Sequence, residues 1–529
     1  MSIEIRFAIF KLILTKNNEQ GWKFNLKQRS KKKNHYEMKE KKQKKVSDNS
    51  RRTFIKGSVA AVAGFTIVPR HVLGRGFLAP SDTLYIAAVG SGGKGDSDIS
   101  GFMGSGKAKM AFLCDVDEKR AAKTFSTYPD AKRYVDWREM FDKEHKKFDA
   151  VSVSTPDHTH AVVGSAAMVL GKHCWIQKPL AHDVYEVRVL ADLAKKHKVV
   201  TQMGNQGSSN DGVRQMREWF EAGVIGDVSE VQIWTNRPVW PQGNMNWPAK
   251  TATPPSNLNW DLWQGTAPAR PFPAPASQGG IDLAPFNWRG WWEYGTGVLG
   301  DMGAHFIEAP MSVLGLQHVS EVQTSSSGSG YFPETGPASN YSIMTFPKTP
   351  KTLGPVKIHW MDGGIQPQRP EELDPSERFG GGDGGMLFIG TKGKMMANCY
   401  AANARLLPVS RMDEVTVPQK YARVKNQANG HYAQWVEACL AGYGNMETSS
   451  PFDKAALLSE AMLMCNLAIR GHDLFTEMPG VNGRPPRKVY PTRGINLLWD
   501  AENMKVTNVN EVNQFVKREY RAPWKLSGV

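Results

Sequence analysis

Cysteine is scarce in this chain. Five are spread over 529 residues, at 114, 174, 399, 439 and 465. The number is odd and no CxxC spacing occurs, which excludes a disulfide framework and a cysteine-built zinc site. Cys114 and Cys174 lie in apolar runs that read as strands, so they are expected to be buried free thiols. Internal repeats are absent, which excludes a solenoid or propeller. A basic surface is also lacking, although the net charge is +15. Residues 1–68 hold 17 of the 66 basic residues and 5 of the 51 acidic ones, which leaves 49 against 46 for the rest. The folded body is near neutral, so nucleic acid is not an expected partner.

What is present is apolar and aromatic residue, 40% and 10% of the chain. That is enough for a large core and argues against disorder. The length suits two or three domains.

The basic leader has an order of its own. Ser50, Arg51 and Arg52 precede Thr53, Phe54, Ile55 and Lys56, and a small, apolar run follows over 57–68. A twin arginine ahead of a mild apolar stretch is the signature of the Tat export route. The run is too short to anchor the chain across a bilayer. Ala61, Val62 and Ala63 offer a cleavage site. Tat signals begin close to their arginines, so Met38, ahead of the lysines at 39–45, is the expected start. The expected location is the periplasm. The Tat route carries folded proteins, so a ligand that such a protein needs would be loaded beforehand and held tightly.

From residue 81 strands and helices alternate. Apolar runs at 84–89, 109–114, 149–154, 173–176 and 199–203 read as strands. Helical patterns at 117–125, 160–170 and 181–197 lie between them. This alternation predicts an α/β fold with a parallel, doubly wound sheet over 81–205. Residues 206–480 change character. A helix at 213–222 and a strand at 228–235 lead into a Trp/Pro-rich stretch, 236–295. Strands follow at 319–324, 341–346, 356–360, 386–389 and 394–397, then helices at 432–440 and 454–468. These predict an α+β domain on a large, mostly antiparallel open sheet. Residues 481–529 read as a polar tail.

Directly after the first strand come Gly90, Ser91, Gly92, Gly93, Lys94 and Gly95, a GxGxxG string. Its glycines permit a tight turn and let backbone N–H groups approach a pyrophosphate at a helix N-terminus. Asp115 closes the second strand, where an acid binds the adenosine ribose hydroxyls. It favours NAD, with NADP left open. Ser154, Thr155, Pro156, Asp157, His158, Thr159 and His160 follow the third run. Gln177, Lys178 and Pro179 follow the fourth, and Asn205 with Gln206 the fifth. Ligands in such sheets sit at these C-terminal strand ends. His158 and His160 lack a third ligand nearby, so no metal site is expected.

These strings, with Trp288-Arg289 and the stretch Gly300, Asp301, Met302, Gly303, Ala304, His305, resemble the Gfo/Idh/MocA oxidoreductases. The leader makes the chain look like their exported, Bacteroidetes-type branch. The resemblance spans about residues 50–529. It implies a Rossmann domain followed by an α+β domain whose open sheet often mediates oligomers, dimers or tetramers. It implies a catalytic Lys178 near the nicotinamide, and a Trp288-Arg289 pair that contacts the cofactor. The family's Glu-Lys-Pro motif carries Gln177 here in place of the glutamate.

Hydride transfer from an alcohol carbon needs a base for the hydroxyl proton and a donor for the developing alkoxide. Asp301 and His305 are four apart and share one helix face. His305 suits the base, Lys178 the donor, and Asp301 the orienting group. The expected activity is a sugar or polyol oxidoreductase. A glycoside hydrolase with internally recycled NAD is the first alternative, and a non-catalytic sugar-binding relative the second. Most tryptophans of 236–295 are expected to pack the core.

Overall fold

The structure is a computed structural model that describes residues 82–529 apart from 244, 328–333 and 481–482. The twin-arginine stretch and the start expected at Met38 lie outside the described residues. Among the described residues no helix is long and apolar enough to cross a membrane.

The first sheet has six strands: β1 (Leu84–Val89), β2 (Ala108–Cys114), β3 (Lys132–Tyr134), β4 (Ala150–Val153), β5 (His173–Ile176) and β6 (Thr201–Met203). They pair in parallel in the order β3-β2-β1-β4-β5-β6. This is the doubly wound dinucleotide-binding order. Side chains alternate along β1, so Leu84, Ile86 and Ala88 join one core and Ala87 and Val89 the other. Helices α1 (Lys94–Met103), α2 (Glu118–Thr127), α3 (Trp137–Glu144), α4 (His160–Val169) and α5 (Val184–His197) link the strands. Helix α5 begins at a capping box, in which Asp183 and Glu186 satisfy each other's backbone N–H groups. The sequence reading missed β3 and α3. Strand β3 is three residues long with two exposed, so it leaves no apolar run to see.

The second sheet has nine strands. They are β7 (Val228–Thr235), β8 (Glu321–Ser326), β9 (Asn340–Phe346), β10 (Val356–Met361), β11 (Gly384–Gly390), β12 (Gly393–Asn398) and β13 (Arg405–Leu407), then β16 (Leu497–Asp500) and β17 (Lys505–Val506). Strands β14 (Thr476–Met478) and β15 (Arg487–Val489) form a separate hairpin. The order is β13-β12-β11-β7-β10-β9-β8-β16-β17. Only β7 and β10 pair in parallel. The helices of this part are α6 (Asp211–Glu221), α7 (Trp260–Gln264), α8 (Gly297–Leu314), α9 (Arg411–Glu414), α10 (Gln427–Ala441) and α11 (Phe452–Gly471).

One feature departs from the sequence reading. Residues 497–516 are not a peripheral tail: β16 extends the large sheet beside β8, and Leu497, Val506 and Val512 are buried. Their apolar residues are too sparse to show a period. The stretch 236–295 carries a small core of its own, built from Trp260, Trp263, Trp288, Trp291 and Tyr294. Trp260 stacks on Trp263 at 4.9 Å. The expectation that most of these tryptophans pack holds.

Helix α10 lies far along the chain yet covers the first sheet. Its Trp435 meets Trp175 of β5 at 5.7 Å and Phe102 of α1 at 5.0 Å between ring centres. All three are fully buried. Residues 82–205 made alone would expose this aromatic cluster. The isolated segment is expected to bind a hydrophobic dye and unfold without a cooperative transition by circular dichroism, while the full chain unfolds cooperatively.

Candidate active site

The glycine turn follows from close contacts that leave no room for a side chain. Gly90 has φ +81°, and a Cβ there would lie 2.6 Å from the Ser154 carbonyl oxygen. A Cβ on Gly95 would lie 1.8 Å from the Gly90 oxygen. At the start of helix α1 the Gly95 N–H turns back to the Gly92 carbonyl at 3.1 Å, and no side chain caps the other first-turn N–H groups, where an anion fits. Asp115 braces the turn. One of its oxygens accepts from the N–H groups of Ser91 (2.8 Å) and Gly92 (2.9 Å), and the other from that of Asp117 (2.9 Å). The second oxygen keeps a free lone pair for a ribose hydroxyl. Burial raises the Asp115 pKa, and the three N–H donors oppose that rise. The structure therefore presents a cradle that fits a dinucleotide.

A cleft of about 520 Å³ runs over this turn. Gly90, Gly92, Gly93, Asp115, Ser154, Thr155, Pro156, Gln177, Lys178, Gln206, Trp288, Arg289, Asp301 and His305 all line it, bringing most of the expected residues together. Five expected residues do not line it. Ser91 turns its hydroxyl to the Cys114 carbonyl, and Gly95 packs under the turn. His158 is buried between the carbonyls of Trp263 (3.0 Å) and Tyr294 (3.3 Å), and burial pushes its pKa down to about 3. His160 lies between the carbonyls of Pro179 and Thr155, both at 2.9 Å. Both histidines tie the β4 loop to its neighbours. Asn205 acts one step back, on His305. Among the described residues no group of three metal-ligating side chains is found.

The chemistry gathers around Asp301, on α8. Its Oδ1 accepts from Lys178 Nζ at 2.8 Å and from Arg289 Nε at 2.9 Å. Lys178 Nζ also donates to the Asp301 carbonyl at 2.6 Å. Two of its three N–H bonds are thus spent, and one is left for a ligand. Burial alone would raise the Asp301 pKa. The two cations and their hydrogen bonds outweigh it, holding the carboxyl well below its ordinary range.

His305 sits one turn along α8 and is 5% exposed. Asn205 gives its amide N–H to the Ala304 carbonyl at 2.9 Å, so its Oδ1 must accept from His305 Nδ1 at 3.1 Å. That assignment leaves Nε2 with a lone pair. Burial, then the Lys178 charge, holds the His305 pKa well below 6.5, against the partial offset of Asp301.

Several cleft residues escaped the sequence reading. Tyr400 follows β12 in a left-handed conformation (φ 62°) and lays its ring 4.4 Å from that of His305. Arg120, in the first turn of α2, lies against Gly92 and Gly93. Neither belongs to a motif. Asp98, on α1, is fully buried and accepts from Ser154 Oγ and Gln177 Nε2, both at 2.8 Å, and from Lys94. This explains Gln177. A glutamate there would set two carboxylates in contact, whereas the amide donates. The departure from Glu-Lys-Pro was the signal that a buried acid stood opposite.

Residues 84–205 match the Gfo/Idh/MocA oxidoreductase family profile described as the NAD-binding Rossmann fold. Residues 210–330 match its C-terminal alpha/beta domain. The chain is 34% identical over 125 residues to an uncharacterized oxidoreductase, YfiI, of Bacillus subtilis, covering 22% of this chain and 32% of that protein. It is 29% identical over 111 residues to levoglucosan dehydrogenase of Pseudarthrobacter phenanthrenivorans, covering 20% and 28%. It is 30% identical over 122 residues to a glycosyl hydrolase family 109 protein of Porphyromonas gingivalis, covering 22% and 26%. The match therefore spans about a third or less of the length of these relatives. Over residues 84–330 the chain carries the two domains of the Gfo/Idh/MocA oxidoreductase family.

Proposed function

We propose that this protein is an NAD-dependent oxidoreductase that moves a hydride between nicotinamide and a hydroxyl-bearing carbon of a sugar, sugar derivative or polyol. The reading rests on one observation: Lys178, Asp301 and His305 converge at the β5 end of a cleft whose other half is a dinucleotide cradle. The Gly93 N–H and the start of α1 would hold the pyrophosphate, which the bare backbone of Gly90 and Gly92 lets approach, and Asp115 would hold the adenosine ribose, which favours NAD over its 2′-phosphate. When bound, the cofactor supplies the hydride acceptor. Lys178 donates its free N–H to the substrate hydroxyl and stabilises the alkoxide as it forms. His305 Nε2 receives the proton. Asp301 holds the lysine in place, and Asn205 fixes the imidazole tautomer.

The relative named as a family 109 glycosyl hydrolase supports a second reading, in which NAD is reduced and reoxidised within each turnover. Net NADH formation from a sugar panel supports the oxidoreductase. Glycoside cleavage without it supports the hydrolase. We extend the proposal to Tat export, to a cofactor held tightly from before translocation, and to a homo-oligomer.

Lys178→Met is expected to lower kcat/KM by about 10²–10⁴-fold while NAD binding by calorimetry changes little. Equal losses of binding and turnover would remove the lysine from the chemistry. His305 stays neutral from pH 6.5 upward because its pKa is depressed. The acid limb of the kcat/KM profile should therefore lie below pH 6.5, and a limb above that value would exclude His305 as the base. Replacing Arg51 and Arg52 together with lysine is expected to retain the protein in the cytoplasm on cell fractionation. An unchanged distribution would refute Tat export.

A further inference from the structure

The strand order gives the cleft a direction. Strands β2 and β3 lie on one side of the glycine turn, β4 and β5 on the other. Lys178 follows β5, so the reacting end lies on that side. Asp115 follows β2 and Val135 follows β3, so the adenosine end lies opposite. Val135 is 51% exposed and lines the cleft there, an apolar side chain with open space above it.

The residue that completes this end comes from the far end of the chain. Trp524 lines the cleft together with Val135 and Trp137. It is 9% exposed, lies 6.3 Å from the Trp137 ring, and has the Arg138 guanidinium 4.5 Å from its own ring centre. The segment that delivers it is pinned at three points. Arg518 donates to Glu186 at 2.8 Å and to the His158 carbonyl at 2.6 Å. The Arg521 backbone N–H bonds the Thr266 carbonyl at 3.1 Å, and its side chain pairs with Asp261 at 2.5 Å. Ser527 N–H donates to Ser165 Oγ at 3.1 Å. Tyr520 also donates to Glu186 at 2.5 Å. Neither family domain extends past residue 330, so these contacts belong to this chain's own C-terminal part.

We propose that residues 518–527 form part of the dinucleotide site and that Trp524 is a cofactor-contacting residue, walling the adenine end. The inference rests on the NAD reading above. An indole against a purine contributes through stacking and exclusion of water, without base-specific hydrogen bonds.

Calorimetry on the full chain tests this with NAD⁺, ADP-ribose and nicotinamide mononucleotide as probes. Trp524→Ala is expected to weaken NAD⁺ and ADP-ribose by about ten-fold and to leave the mononucleotide, which lacks adenine, unchanged. Trp524→Phe should restore most of the loss. Unchanged ADP-ribose affinity in a folded Trp524→Ala protein overturns the proposal. If that variant does not fold, hydrogen exchange on the wild-type protein decides: ADP-ribose should protect residues 518–527, and unaltered exchange there overturns it. Tight NAD⁺ binding with no effect of Trp524 refutes this inference alone. Failure of the wild-type chain to bind NAD⁺ or ADP-ribose refutes the cofactor reading with it.

Discussion

The Asp301 carboxylate sits where three separate stretches of chain meet, with its side chain only 14% exposed. Lys178 comes from the end of β5, Arg289 from the Trp-rich stretch, and Asp301 itself from α8. Burying a carboxylate is costly unless its charge is met in full. Here two cations meet it, and the depressed pKa says that attraction outweighs desolvation. The pairing fixes Lys178 at the mouth of the cleft and sets the turn of α8 that presents His305. Loss of either cation would leave a buried charge half answered, at a cost of a few kcal/mol.

The same logic recurs one layer down. Asp98 accepts from Lys94, Ser154 and Gln177, and so ties the glycine-turn helix to the ends of β4 and β5. Asp115 does the like for the turn and β2. Each acid accepts from at least one donor that belongs to another part of the fold. The cleft floor is therefore held by polar contacts whose geometry is strict, over cores whose packing is apolar on both faces of the sheet.

The roof is built differently. Trp263 and Trp288 face the cleft from a stretch that otherwise packs on itself, and Phe286, 41% exposed, lies beside them. Trp524 enters from the opposite end of the chain. Floor and roof thus draw on sequence-distant segments, as does the aromatic cluster that α10 adds behind β5.

The order of amino acids alone set the alternating pattern of the first sheet, the glycine turn, Asp115, and the residues at the ends of β4, β5 and β6. These are local signals: apolar period, a glycine spacing, polar clusters where strands stop. It also determined that Asp301 and His305 share a helix face, since four residues make about one turn. The packed fold was needed to set Asp98 against Gln177, to lay Tyr400 on His305 and to bring Trp524 to the cleft. It also decided that His158, His160 and Asn205 support the site from behind, because both rings of the pair at 158 and 160 are taken by backbone carbonyls. A side chain's direction at a strand end depends on which carbonyls and carboxylates the rest of the fold brings near. That information is spread over hundreds of residues and leaves no period or spacing to read.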